Sequence, residues 1–185
     1  ALRQYKENGE TARLLHPSNI YWITKTKSFW RPAIWIRGTK QCVEIKTVGK
    51  VVIETEQKFE EILRMGTYVN SCLSIGGCNQ HSAIANVLDA NKRVLFMRDS
   101  EGKFIARQLL AITKERKLAC FHVYHTGHKF EKKLINDSFA AVDKAFASEL
   151  GIEVQVGDEY EIETVVCKDW YDDGIWDITG EEEAS

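Results

Sequence analysis

Nucleophilic chemistry needs a thiol whose charged form is favoured and a base that takes its proton. This chain offers both, thiol before base. The segment Asn70-Ser71-Cys72-Leu73-Ser74-Ile75-Gly76-Gly77-Cys78-Asn79 carries two of five cysteines toward a short helix expected from about Gln80 to Leu88. Unpaired amides at a helix start favour a thiolate. Downstream, His122 sits in a strand-like run. The expected catalytic residues are therefore Cys72 as nucleophile, His122 as base and Asn79, with nearby backbone amides, as oxyanion donor. The expected substrate contacts are Arg107, Arg98 and Ser74. Asn86, Asp99 and Asp137 remain open as the residue that orients His122. Against this stands the simpler view that Cys72 and Cys78 are half-buried loop residues.

Two short-spaced pairs, Cys78-x-x-His81 and His125-x-x-His128, contain ligand types that zinc accepts, with His122 to spare. Their spacings fit an exposed polar loop equally well, and no metal or other cofactor is assigned. A third pattern is electrostatic. No acid occurs between Glu10 and Glu44, while Arg13, Lys25, Lys27, Arg31, Arg37 and Lys40 interleave with Tyr21, Trp22, Phe29, Trp30 and Trp35. Bases neutralise phosphates and rings stack on nucleobases, so this region is the expected contact for nucleic acid or a partner protein. The competing view is a strand face of core aromatics and solvated bases. Lastly, Arg107 stands among Ile105, Ala106, Leu109 and Leu110. If it points toward the helices, it needs a carboxylate or an anionic ligand.

The elements that must position these groups can be read from spacing. Residues 20–24 and 33–37 are β-branched and aromatic and are expected as strands. Residues 42–47 and 50–54 alternate around Gly49 as a hairpin. Thr55 is expected to cap a short helix carrying Phe59, Ile62 and Leu63, stopped by Gly66. Three strands follow as a meander, 93–98, 103–112 and 117–124. Ile135, Phe139, Val142, Phe146 and Leu150 make the apolar stripe of a long helix over 130–150, ended by Gly151. A last hairpin is expected from 152–156 and 160–166, turning at Gly157-Asp158. Adjacent strands without βαβ alternation specify an α+β fold: an antiparallel sheet of meander plus hairpins, with a short helix after the Cys/Gly loop and one long packed helix.

Composition agrees with one globular domain: 44% hydrophobic, 28% charged and only 2 prolines. No apolar run reaches the length of a membrane span, and no secretory leader is expected. An odd number of cysteines without scaffold spacing points to reduced thiols and a cytoplasmic protein. The expected domain covers 1–168, with N-terminal strands in 1–55 and the helix/meander/helix core in 56–168. Residues 169–185 hold seven acids and no base, leaving 25 bases against 20 acids in 1–168. That acidic tail is expected either to be solvated or to fold back over a basic face. The chain begins on Ala and is expected to be part of a larger polypeptide or complex.

Met65-Gly66-x-Tyr68-x-x-x-Cys72-Leu73-Ser74-x-Gly76-Gly77-x-Asn79, Asn91-Lys92-Arg93-Val94, Arg98-Asp99-x-x-Gly102, Arg107 and Trp170-Tyr171-Asp172-Asp173-Gly174 resemble an uncharacterised bacterial domain group with a Cys-Leu-Ser-x-Gly-Gly loop. The chain is similar, more distantly, to PcfJ-like proteins of mobile elements. The likeness spans roughly 59–174 and implies a bacterial cytoplasmic module, often attached to other domains, without a settled activity. Cys78, His125 and His128 fall outside the shared pattern, which favours Cys72 over Cys78. A cysteine helix on an antiparallel sheet that supplies the histidine follows papain-like and transglutaminase-like logic. The expected function is thus a thiol-dependent hydrolase or acyl-transfer module. The alternative is a non-catalytic module that binds nucleic acid or protein.

Overall fold

The computed structural model describes residues 2–126 and 129–174. Alternating apolar residues pair as the expected first hairpin, β1 (Lys40–Ile45) with β2 (Gly49–Thr55). Gly49 closes it at φ 87°, where a side chain would be strained. β2 then pairs with β3 (Lys92–Asp99), and β3 with β4 (Phe104–Ile112). The short strands β5 (Leu118–Cys120) and β6 (Tyr124–His125) both pair with β4. Every pairing is antiparallel and the order is β1-β2-β3-β4-β5, with β6 beside β4. The α+β class and the meander are as expected.

Helices cover both faces of this sheet. On one face lie α3 (Pro17–Thr26), α4 (Pro32–Arg37) and the long α7 (Lys129–Leu150), packed on Ile53, Leu95, Met97, Leu110 and Ile112. On the other lie α1 (Leu2–Asn8), α5 (Phe59–Arg64), α6 (Ser82–Leu88) and the Cys/Gly loop, packed on Val94, Phe96, Leu109 and Phe121. A short α2 (Glu10–Leu14) links α1 to α3. The strands that are buried on both faces, β3 and β4, carry consecutive apolar residues at 94–97 and 109–112 for that reason.

The segments 20–24 and 33–37 are helical, not strands, so residues 2–39 contribute helices and, of the N-terminal region up to residue 55, only β1 and β2 belong to the sheet. Pro17 and Pro32 each open a helix, where a missing N–H costs nothing. His16 caps α3 by accepting from Ser18 N. Asn19, Trp22 and Thr26 are the buried residues of α3, a helical spacing that outweighs the β-propensity of the aromatics. Trp22, Trp30 and Trp35 are only 1%, 6% and 1% exposed and meet edge-to-face, with Trp35 stacked on Phe146 of α7. These three rings are core, so they offer no platform for bases. The neighbouring cations are also engaged: Lys25 with Glu163, Arg37 with Glu149 and Lys40 with Glu54. Tyr21 and Phe29 stay exposed.

Three further differences have local causes. Thr55 does not cap α5; its Oγ1 accepts from Thr39 N at 3.0 Å, and Lys58 holds the cap position. The hairpin expected from 152–156 and 160–166 does not form. The first arm instead bonds to β5, Val154 bridging Leu118, and the second to the residue after β4, Ile162 bridging Thr113. The expected strand 117–124 is interrupted between β5 and β6. Leu110 faces Cys120 but Ala106 faces His125, so one extra residue is accommodated there. Phe121 packs on the α6 face and Val123 on the α7 face, and Tyr124 lies against Arg107. The bulge thereby brings His122 and Tyr124 together, their rings 5.0 Å apart.

Candidate functional site

The Cys/Gly loop is a tight coil, and its own atoms explain much of its composition. Asn79 N donates to Cys72 O at 3.0 Å, and Gly77 N to Ser74 O at 2.7 Å. Ser74 Oγ contacts Gly66 O and Ser71 O at 2.9 and 2.6 Å, so this hydroxyl serves the loop rather than a substrate. A Cβ on Gly77 would lie 2.4 Å from Cys72 O, and one on Gly66 would lie 2.2 Å from Leu73 C. Backbone sets both limits and cannot yield cheaply. Gly77→Ala is therefore expected to lower stability by about 1–3 kcal/mol, read by denaturant unfolding, and to disorder Cys72. A change under 0.5 kcal/mol would mean that the loop is not closed this way.

α6 begins at Ser82, later than expected. Cys78 is exposed four residues before it, and Cys72 lies further back, half-buried against the α6-side core. Neither thiol sits on the first turn of that helix. The amides of Leu73, Ser74, Ile75, Gly76, Gly77 and Asn79 all have acceptors, that of Ile75 being Thr67 Oγ1 just before the loop and the others lying in the loop or its approach to α6. Those amides are spent, and Asn79 contributes to loop closure through its backbone.

Arg107 points to the loop side of the sheet and is fully buried. Of the two partners the sequence left open for an inward-facing Arg107, a carboxylate or an anionic ligand, the structure supplies the first: Asp173, whose side chain is also fully buried and paired with Arg107 Nη1. Arg107 Nη2 donates to Ser71 Oγ at 3.1 Å, and the guanidinium lies 4.5 Å from the Tyr124 ring centre. Arg107 is thus an internal organiser; it has no open face for substrate. Arg98 is also occupied, by Glu56, Glu61 and Glu54. It is screened from Arg107 by Phe96, Phe104 and Tyr68, which pack ring against ring. Arg98 and Ser74 do not join the cluster.

Asp173 belongs to a strap, residues 165–174, stitched across the α6 face. Asp89 Oδ1 accepts from Val166 N and Cys167 N at 3.1 and 2.9 Å. Lys92, buried, pairs with Asp89 at 2.6 Å and lies over the Trp170 ring. Burial pushes the Lys92 ammonium below its ordinary pKa, while Asp89 pulls it back. Ser82 Oγ accepts from Tyr171 N and donates to Tyr171 O. Tyr160 donates to Asp172, and His122 N donates to Gly174 O at 2.9 Å. Ser82, Asn91 and Arg107 hold this strap and the segment before it. Residues 175–185, the rest of the acidic tail, lie outside the described residues.

Around the strap's end the remaining groups converge. His122 is held below its ordinary pKa first by burial, then by Lys132 and Arg107, with Asp173 opposing. Its imidazole is accordingly neutral at pH 7. Tyr124 is pushed up by burial, with the charges of Asp173 and Cys72 adding, so it keeps its hydroxyl proton. Tyr171, exposed, feels Cys72 and Asp173 after burial. Cys72, His122, Tyr124, Asp173 and Tyr171 therefore share one neighbourhood around Arg107. None of the three residues left open to orient His122 belongs to it. Asn86 bonds Ser82 O, Asp99 caps the β3–β4 turn and Asp137 pairs with Lys133. Asp173 and Tyr124 escaped the sequence reading; the signal for Asp173 was the unpaired charge of Arg107 itself. Beside the loop, Leu63, Leu73, Ile75, Ala83 and Ile84 line an apolar hollow of about 300 Å3.

Among the described residues no group of three His, Cys, Asp or Glu side chains gathers as a metal site. Cys78 and His81 are exposed, and His128 lies outside the described residues. No helix among the described residues is long and apolar enough to cross a membrane. Comparison with protein-family models, with curated proteins and with solved structures gave no match.

Proposed function

We propose that the chain carries a thiol-dependent acyl-transfer or hydrolase site with Cys72 as nucleophile and His122 as general base. The observation that carries this reading is the convergence of a half-buried thiol and a neutral imidazole on the Arg107–Asp173–Tyr124 cluster. In the reaction, His122 takes the Cys72 proton as sulfur bonds to the acyl carbon. Tyr124, its proton retained, donates to the developing oxyanion in place of the spent loop amides. His122 then returns the proton to the leaving oxygen or nitrogen, and water or another acceptor cleaves the thioester with the base acting again. The Asp173 carboxylate, held by Arg107, acts on His122 through its charge and favours the imidazolium that forms when His122 takes the proton. The hollow beside the loop suits an apolar part of the substrate.

The test is acylation by a panel of activated aryl esters and thioesters, followed per cysteine by mass spectrometry. Cys72 is expected to acylate faster than exposed Cys42 and Cys78, and His122→Gln to slow only Cys72, by about 10²–10⁴-fold. The depressed His122 pKa places the acid limb of the rate below pH 6.5. Equal rates at the three thiols, or no effect of His122→Gln, would discard the reading.

A protein-binding module is the second reading, favoured by the exposed Ile20, Tyr21 and Phe29 on the N-terminal helical region. Nucleic acid at the same surface would show an affinity falling steeply with salt. A flat salt profile, or no binding of a single-stranded oligonucleotide, removes that partner.

A further inference from the structure

On the α7 face, away from the Cys/Gly loop, a carboxyl group is sealed in the core. Asp143 of α7 is fully buried, among Phe139, Val142 and Phe146 of its own helix. Gln108 of β4, equally buried, donates from Nε2 to Asp143 Oδ2 at 3.0 Å. The second oxygen of each group, Asp143 Oδ1 and Gln108 Oε1, is buried with no hydrogen-bond partner. As an anion, the carboxylate would leave two acceptor atoms facing apolar surroundings, a costly arrangement. One added proton resolves both. With Oδ1–H donating to Gln108 Oε1 while Nε2–H donates to Oδ2, the acid and the amide close a two-bond ring.

We infer that Asp143 is held as the neutral acid in a cyclic pair with Gln108, and that this pair is a proton-linked latch fastening α7 to the sheet. The surroundings support it. From β5, Cys120 faces Asp143, and burial keeps its thiol protonated well above the ordinary range. From β3, the charged residue on this face is Arg93, which donates to Ile36 O and lies over Trp35. From α4, Arg37 pairs with Glu149 near the exposed end of α7. None of these places a cation on the Asp143 carboxyl; Gln108 and Cys120 are the groups that act on it. Burial raises its pKa to about 7, against which Gln108 and the neighbouring Cys120 thiol pull only partly.

The sign follows directly. The folded protein binds this proton more tightly than the unfolded chain, so the stabilising contribution of the latch is full below the unfolded value near 3.8. It weakens as pH rises toward about 7 and contributes nothing further above it. Over that window the folding equilibrium falls by about a thousandfold on account of this group. Asp143→Asn isolates the effect, because an asparagine amide reproduces the ring and cannot ionise. The ratio of mutant to wild-type folding constants is expected to climb about a thousandfold from pH 4 to pH 8. Hydrogen exchange along α7, corrected for intrinsic rates, should quicken as pH rises from 4 toward 7 in the wild type and level off above it, and should show no such rise in the mutant. A ratio independent of pH overturns the proposal. Should Asp143→Asn fail to fold, the 13C carboxyl resonance of Asp143 in the intact wild-type chain decides: a midpoint near 7 supports the latch, and one near 4 overturns it.

Discussion

Replacing Arg107 with leucine is expected to destabilise the chain by about 3–5 kcal/mol, and replacing Asp173 with leucine by a similar amount. Both side chains are fully buried, and each single change strands the other's charge away from water. The double replacement is expected to cost at least 2 kcal/mol less than the sum, because no charge is then stranded. Equilibrium urea unfolding of the four proteins measures this. Arg107 also holds Ser71 Oγ and packs on Tyr124, so its loss reaches the Cys/Gly loop and β6 together. Limited proteolysis should then cut within 165–174 in either single variant before the sheet unfolds. Single costs below 1 kcal/mol, with strict additivity, would show that the strap is not fastened by this pair.

Trp35→Ala is expected to cost about 3–5 kcal/mol and to leave oligonucleotide affinity of the remaining folded protein unchanged. The ring stacks on Phe146, meets Trp30 edge-on and donates from Nε1 to Ala90 O at 2.7 Å. Truncation opens a cavity where α4, α7 and the start of β3 meet, and leaves the Ala90 carbonyl unpaired. Thermal unfolding monitored by circular dichroism gives the cost. If Trp35 were instead a stacking platform, the change would spare stability and remove binding. Trp35 is 1% exposed, which decides between these outcomes in favour of the first.

Periodicity made some elements legible. Residues 135, 139, 142, 146 and 150 repeat at helical spacing, and they bury one face of α7. Val43, Ile45, Val51 and Ile53 alternate around a glycine that the turn requires, and they pair as a hairpin. The same rules failed at 20–24 and 33–37. There β-branched and aromatic residues are spaced for helices, and the prolines at 17 and 32 mark helix starts. Propensity counts a residue type, whereas burial depends on which side of an element it occupies.

The sequence by itself determined the first hairpin, the β3–β4 meander, the long helix and the position of the Cys/Gly loop, and that an inward-facing Arg107 must have an anionic partner. These follow from local spacing and from the cost of burying a charge. Only the tertiary structure decided that this partner is Asp173, 66 residues away. It also decided that a one-residue bulge brings His122 and Tyr124 together, and that Asp143 meets Gln108 inside the core. Each of those depends on how segments distant in the chain cross. A buried polar group announces in the sequence that it must have a partner, but which group reaches it is fixed by packing.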